Sequence, residues 1–405
     1  MLQGEAVVER RVVEALRSGV PSRSVCQVFP MGRQDVLVRF NDILEDVGNN
    51  GSGPGLYVFS ADYGEGKTHL LLAMARSAED KNFVVSFLNL SKETPFDKLH
   101  KVYPKLVAGT NLPGSRQPGF ERLLSGLKPG SHTAESLLAY VEENLHPKLY
   151  AVLRNYVEGS KVEENARLYE DLAGVFIGMA ELKAIHRLNF GVPLSIRPFR
   201  VTSDIVDYFR FLNYLFRASG YAGWVILLDE VELLGKLGRT ARAKAYQNIA
   251  QLTSDASLRH TVFVFSVASA FYTDVFDLRK DPEVLPRLVR DRLGESAGDA
   301  VARGIAVLGT QHRLAPLSQP EVDAILSEVI RIHSRAYGWP APESAKEAVK
   351  KYFSNDVRLR SKIRAAVQYL DVAYLYGKEP SLTISPLNGM DIREDQNFFE
   401  ETQES

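Results

Sequence analysis

The chain has 405 residues, with 49 basic and 50 acidic side chains and a formal net charge of −1. Its 45% hydrophobic and 24% charged content is that of a folded globular protein, which excludes wholesale disorder and a fibrous chain. At roughly 150 residues per domain the length suggests two or three units, and the near-zero charge argues against a bulk-charge nucleic-acid coat while leaving local patches open. Cys26 is the only cysteine, so an intramolecular disulfide and a Cys-rich zinc site are both excluded. The histidines show no paired metal-ligand spacing. No stretch approaches the roughly 18 apolar residues of a membrane span, and the N-terminal MLQGEAVVERRVVEALRSG lacks a signal-peptide core. The expectation is a reduced, cytoplasmic protein without a membrane partner.

In chain order, Val7, Val8, Val12, Val13 and Leu16 recur at helical spacing over 5–18, and Gly19 and Pro21 end that helix. A second helix is predicted over about 33–47, followed by the loop NNGSGPG at 49–55. LYVFSA (56–61) reads as a buried strand, 67–78 as a helix and FVVSFLNL (83–90) as a strand. Strand, helix and strand at this spacing imply a right-handed βαβ unit and a parallel sheet. Residues 95–220 carry little strand signal; helices are predicted near 94–108, 134–145, 149–157, 163–187 and 203–218, a helical insertion packed on the sheet. Apolar runs at 224–230 and 261–267 are fit for central strands, and 304–309 (GIAVLG) is a weaker third. Helices follow at about 319–337, 342–353 and 358–376. The stretch 391–405, with six acids and one base, has little to bury and is expected to be a mobile tail.

The sharpest signal is Ala61-Asp62-Tyr63-Gly64-Glu65-Gly66-Lys67-Thr68, set between a strand and a helix. It fits the phosphate-binding pattern G-x-x-x-x-G-K-[ST] except for alanine in first place. Small residues are needed here because backbone N–H groups must wrap the phosphates at the positive end of a helix. Lys67 would reach the β- and γ-phosphates, and the Thr68 hydroxyl would coordinate Mg²⁺. The second signal is Val225-Ile226-Leu227-Leu228-Asp229-Glu230, an apolar strand ending in two carboxylates, as in a Walker B motif. Asp229 would hold Mg²⁺ and Glu230 would polarise the attacking water. Ser266, in the strand after Walker B, is a candidate γ-phosphate sensor, with a serine hydrogen-bonded within the sheet as the alternative. Arg287, Arg290 and Arg292 could supply an arginine finger to a neighbouring subunit, Arg290 being the leading candidate; the alternative is a solvated helix face. Arg358, Arg360 and Arg364 begin the final helix, and one of them could reach back to the phosphates.

Taken with Leu16-Arg17-Ser18-Gly19-Val20-Pro21-Ser22-Arg23, Met31-Gly32-Arg33, the loop through His69, Leu88-Asn89-Leu90-Ser91-Lys92-Glu93-Thr94-Pro95 with Lys98-Leu99-His100-Lys101-Val102-Tyr103, and Gly220-Tyr221-Ala222-Gly223 leading into Asp229-Glu230-Val231-Glu232, these motifs resemble the ATP-binding proteins of BREX phage-defence systems, the BrxC/BrxD type. Arg313-Leu314-Ala315-Pro316-Leu317 and the segment from Ile332 to Trp339 extend the match, which spans about residues 5–375. The resemblance implies an AAA+-like P-loop ATPase: a parallel-sheet α/β core with a large helical insertion and a C-terminal helical lid. It divides the chain into an adenine-side segment 1–50, a core 51–310 with the insertion at about 95–220, a lid 311–378 and a tail 379–405. It also implies that Gly19 to Arg33 lie near the adenine, that Arg360 is the best second-sensor candidate, and that the setting is antiviral defence beside DNA-directed proteins such as helicases or methyltransferases.

Two classes of function fit. One is an oligomeric ATPase acting on double-stranded DNA, with Lys236, Arg239, Arg242 and Lys244 after Walker B as phosphate contacts. A solvated helix accounts for that cluster equally well. The other is a nucleotide-gated switch or scaffold, in which ATP orders the lid and a partner performs the chemistry on DNA. Glu142-Glu143 and Glu163-Glu164 read as solvated helix faces.

Overall fold

The computed structural model describes residues 2–18, 33–51, 53–115, 119–159, 165–351 and 359–377. The expectations for 19–32, for Glu163 and Glu164, for Arg358 and for the acidic tail lie outside them. The chain divides into two units, Arg33–Tyr63 with Lys67–Ala315, and Met1–Gly32 with Gly64–Gly66 and Pro316–Ser405.

Helix α1 (Leu2–Ser18) is followed by α2 (Gln34–Asn49), β1 (Gly55–Ala61), α3 (Lys67–Asp80) and β2 (Phe83–Asn89). Next come α4 (Leu99–Ala108), the short β3 (Thr110–Asn111), α5 (Gly119–Ser125), α6 (His132–Asn144), α7 (Pro147–Glu158), α8 (Asn165–Leu172) and α9 (Met179–Phe190). The short α10 (Val201–Asp204) and then α11 (Val206–Ala218) lead into β4 (Gly223–Asp229) and a 3₁₀ turn, Val231–Lys236. Helix α12 (Arg239–Thr253), β5 (Thr261–Ala268), a π-type segment Tyr272–Leu278, α13 (Asp281–Leu293), α14 (Glu295–Gly309) and β6 (His312–Arg313) complete the larger unit. Helices α15 (Gln319–Tyr337), α16 (Glu343–Lys351) and α17 (Leu359–Tyr376) follow. Among the described residues, no helix is long and apolar enough to cross a membrane.

The fold is α/β, with a P-loop NTPase-like core and extensive helical regions. Among the described residues six strands run β3-β2-β4-β5-β1-β6, all pairs parallel except the edge pair β2–β3. Strands β1, β2, β4 and β5 are near-continuous apolar runs because both of their faces are covered. On one face Tyr57, Phe59, Val85, Val225, Leu227 and Val264 pack with Phe40 and Leu44 of α2 and with Leu71 and Met74 of α3. On the other, Val58, Val84, Trp224, Ile226 and Phe265 share a core with the helices of 95–220 and with α12 to α14. A polar pin sits inside that helical region. The Asp171 carboxylate accepts from Lys148 Nζ (2.5 Å), from the Tyr208 hydroxyl (2.6 Å) and from the Ile177 N–H (2.8 Å). The Lys148 ammonium also lies 4.7 Å from the centre of the Phe199 ring, so its charge is compensated on every side described.

Two expectations are corrected. GIAVLG does not form a strand; it is the end of α14, which lies so close to α12 that a Cβ on Gly304 would stand 1.9 Å from the Tyr246 carbonyl oxygen. A fully apolar six-residue run has no period of its own, and burial against α12 and α13 decides for helix. The single helix expected over 163–187 is two, α8 and α9, separated at Gly174, whose φ of +99° no L-residue adopts comfortably.

In the smaller unit, Val12, Val13 and Leu16 of α1 pack with Ile325, Leu326 and Val329 of α15 and with Ala366, Val367 and Leu370 of α17. Arg17 holds Asp371 through two bonds of 2.8 and 2.9 Å, and His333 shares that carboxylate at 3.1 Å. Ser318 and Glu321 form a capping box at the start of α15.

Candidate nucleotide site

The C-terminal ends of β1, β4 and β5 and the N-terminus of α3 bring the sequence candidates together. Strand β5 lies between β1, which leads into the Lys67 loop, and β4, which ends in Asp229. Register pairs Ala61 with Ala268 and Phe59 with Ser266 across β1 and β5, and Leu228 with Phe265 across β4 and β5. Ser266 and Asp229 therefore occupy one level on adjacent strands, on the face that α3 covers.

Gly64 and Gly66 have φ of +82° and +85°, so the loop demands glycine at both positions. Ala61 is instead the last residue of β1, extended and 2% exposed. Nothing in its backbone calls for glycine, which explains the departure from the pattern at this position. Its carbonyl accepts from the Ser269 N–H (3.1 Å) and from Lys67 Nζ (3.3 Å). Lys67, buried at the first turn of α3, also reaches the Asp62 carbonyl (3.5 Å) and lies 4.6 Å from the centre of the Tyr63 ring. Asp62 is exposed, Tyr63 and Glu65 half-buried, and His69 buried on α3.

Thr68 Oγ1 donates to Asp229 Oδ2 at 2.7 Å. A hydroxyl oxygen and a buried carboxylate from two different elements thus converge on one point, a donor set that fits a hard divalent cation such as Mg²⁺. Glu230 follows with a left-handed backbone, φ 60° and ψ 34°, and its N–H donates to Asp229 Oδ1 (3.0 Å). A non-glycine residue held there stores of order 1–3 kcal/mol of strain, and such residues cluster at working sites. Arg33, the residue before α2, has the same backbone (φ 60°) and donates to the Ala315 carbonyl at 3.2 Å.

Ser266 is fully buried, and its hydroxyl has no partner among the described residues. The sequence reading missed two neighbours. Ser269, immediately after β5, has a buried hydroxyl in the same condition, and Glu232 is buried inside the 3₁₀ turn. The signal for both was proximity to motif ends, which only the strand register converts into position.

The arginine and lysine candidates fare differently. Arg290 pairs with Glu295 (2.5 Å) and Asp299 (3.0 Å) of its own chain, whereas Arg287 and Arg292 are exposed. Within the smaller unit the Arg360 N–H donates to the Gly64 carbonyl (3.4 Å), while its side chain is exposed. Arg242 is corrected as a DNA contact. It is 4% exposed and spends its guanidinium on Asp281 at 2.7 and 2.9 Å and on the Leu237 carbonyl. Its place in the motif-flanking basic cluster disguised a core ion pair. Lys236 is half-buried, and burial lowers its pKa, as does the charge of Lys92, against the opposing pull of Glu230 and Glu232. Arg239 and Lys244 face solvent, although partial burial lowers the Lys244 pKa.

A family model described as BREX system ATP-binding protein BrxC/D matches residues 6–126 and 130–370. The chain belongs to this family. Membership gives it an ATP-binding role in phage defence. No curated protein and no solved structure matches the chain.

Proposed function

We propose that this BREX ATP-binding protein hydrolyses ATP with Mg²⁺ and couples its nucleotide state to DNA, directly or through partners. The observation that carries the reading is the 2.7 Å bond between Thr68 and Asp229, with Lys67 on one side and Glu230 on the other. In this reading the loop N–H groups and Lys67 bind the β- and γ-phosphates. Thr68 and Asp229 hold the cation, which would neutralise charge developing on the phosphate oxygens. Glu230 orients a water against the γ-phosphorus and takes its proton as the bond to the ADP oxygen breaks, releasing ADP and phosphate. Ser266 contributes a polar hydroxyl between the two motifs, and Arg290 from a neighbouring copy completes the charge around the γ-phosphate.

A homo-oligomer, double-stranded DNA and other defence proteins such as a helicase are the partners this reading requires, in the cytoplasm. The second reading, a nucleotide-gated scaffold with little turnover, draws support from Arg242. With that cation buried against Asp281, the basic surface after Walker B is smaller than the sequence suggests.

Steady-state hydrolysis with and without duplex DNA separates the two, using wild type, Lys67→Ala and Glu230→Gln. DNA-stimulated turnover that both variants lose is the expected result. ATP binding without turnover in the wild type, whatever the DNA, would overturn it in favour of the scaffold.

A further inference from the structure

Glu232 lies one turn beyond the Walker B carboxylates, in the 3₁₀ turn Val231–Lys236. The left-handed backbone at Glu230 redirects the chain there, and the Glu232 carboxylate returns to the sheet, 9% exposed. Its Oε2 accepts from the N–H of Ala268, the last residue of β5, at 2.9 Å. Its Oε1 is buried with no hydrogen-bond partner among the described residues, and so are the hydroxyls of Ser266 and Ser269 on either side of Ala268.

Register locates this acid relative to the phosphate lysine. Ala268 pairs with Ala61 across β1 and β5, and the Ala61 carbonyl accepts from Lys67 Nζ at 3.3 Å. The Ser269 N–H points to Ala61 of β1, so the Ala268 N–H, one residue earlier, points toward β4, and the Glu232 carboxylate sits on the β4 side of the end of β5, the strand that separates the two motifs. Burial raises the Glu232 pKa, the Lys67 charge opposes that rise, and Asp229 adds to it. These are the neighbours a group beside the phosphate and cation positions must have. The same turn is also fastened to the segment after β5, where Arg279 donates to the Gly235 carbonyl at 2.6 Å.

We propose that Glu232 is a positioning residue of the ATP site: its buried carboxylate balances Lys67 before nucleotide arrives and anchors the end of β5 beside the γ-phosphate position. The inference rests on the ATPase reading above and deepens it. Its negative charge lies within electrostatic reach of Lys67 and opposes the arriving polyanion, so Glu232 weakens binding of the triphosphate. In return it keeps the Ala268–Ser269 backbone fixed for turnover, and through the Ser269 N–H the Ala61 carbonyl that accepts from Lys67. Gln at this position keeps an oxygen for the Ala268 N–H and removes only the charge. Ala removes both.

The test measures affinity for a fluorescent ATP analogue and steady-state kcat and KM for wild type, Glu232→Gln and Glu232→Ala, with folding checked by circular dichroism. Glu232→Gln is expected to bind the triphosphate about tenfold more tightly, the effect of removing one buried negative charge beside a polyanion, with a lower kcat. Glu232→Ala is expected to lose turnover further. Unchanged or weaker binding by a folded Glu232→Gln protein, or wild-type kcat in it, would overturn the proposal. Failure of the wild type to bind the analogue would instead sink the ATPase reading, so the two failures are distinguishable. If the Ala variant does not fold, the Gln variant alone decides.

Discussion

At Glu230 a left-handed backbone coincides with the side chain assigned to the attacking water, and the two have opposite requirements. The side chain serves hydrolysis in the proposed reaction; the backbone, at φ 60°, favours glycine. The conformation costs an L-residue roughly 1–2 kcal/mol, and glycine escapes most of that. Glu230→Gly is therefore expected to be about 1 kcal/mol more stable in urea than Glu230→Ala, although both lose hydrolysis. Equal stabilities would mean the turn is not strained. The opposite case is Ala61, where a motif position reads as defective but the residue is extended in β1. Lys67, Thr68, Asp229 and Glu230 stood out as candidates because phosphate and cation chemistry restrict which residue types can follow a strand, and the fold brings Thr68 and Asp229 together. Ser269 and Glu232 did not. Glu232 belongs to the segment that carries the family resemblance, but neither it nor the serine has a place in the site until the fold sets both at the end of β5.

Helices α12 to α14 show what a buried ion pair does for an element. Arg242 of α12 grips Asp281 at the start of α13, and the Tyr246 hydroxyl adds a bond of 3.3 Å to the same carboxylate. Taking away one partner strands the other charge in the core, which costs roughly 3–5 kcal/mol. Arg242→Ala is accordingly expected to lower the unfolding free energy by about that much in urea titration. Arg239→Ala, on the exposed side, should change it by less than about 0.5 kcal/mol. An Arg242→Ala protein of wild-type stability would restore Arg242 to the candidate DNA surface. The apolar strands β1, β2, β4 and β5 were each predicted within a residue or so of where they lie, because long apolar runs between glycines and acids admit few other readings. GIAVLG fooled the same logic. It is too short to show a period, and its glycine serves helix contact rather than a strand end.

Across the whole molecule, burial pushes His100, His146, His186, His260 and His333 below the ordinary histidine value of 6.5. In the unfolded chain these groups take up protons as the pH falls through 6.5, while in the folded protein they remain neutral to lower pH. Stability is thus fully present above 6.5 and declines below it, by up to about 1.4 kcal/mol per pH unit for each histidine. The urea midpoint is expected to fall between pH 7.5 and pH 5.5, a window above the titration of ordinary carboxylates. A flat midpoint across that window would show that the histidines protonate equally in both states.

By itself the sequence determined the α/β class and the family, and it singled out the candidate phosphate loop and the paired carboxylates. Each depends on local restrictions: apolar runs that must be buried, glycines that must turn, and charges suited to phosphate. Tertiary structure decided the rest. It set β5 between the two motif strands, gave Arg242 to the core and brought Glu232 back to the end of β5. Those outcomes depend on which distant segments share a face or a register, and no window along the chain contains both partners.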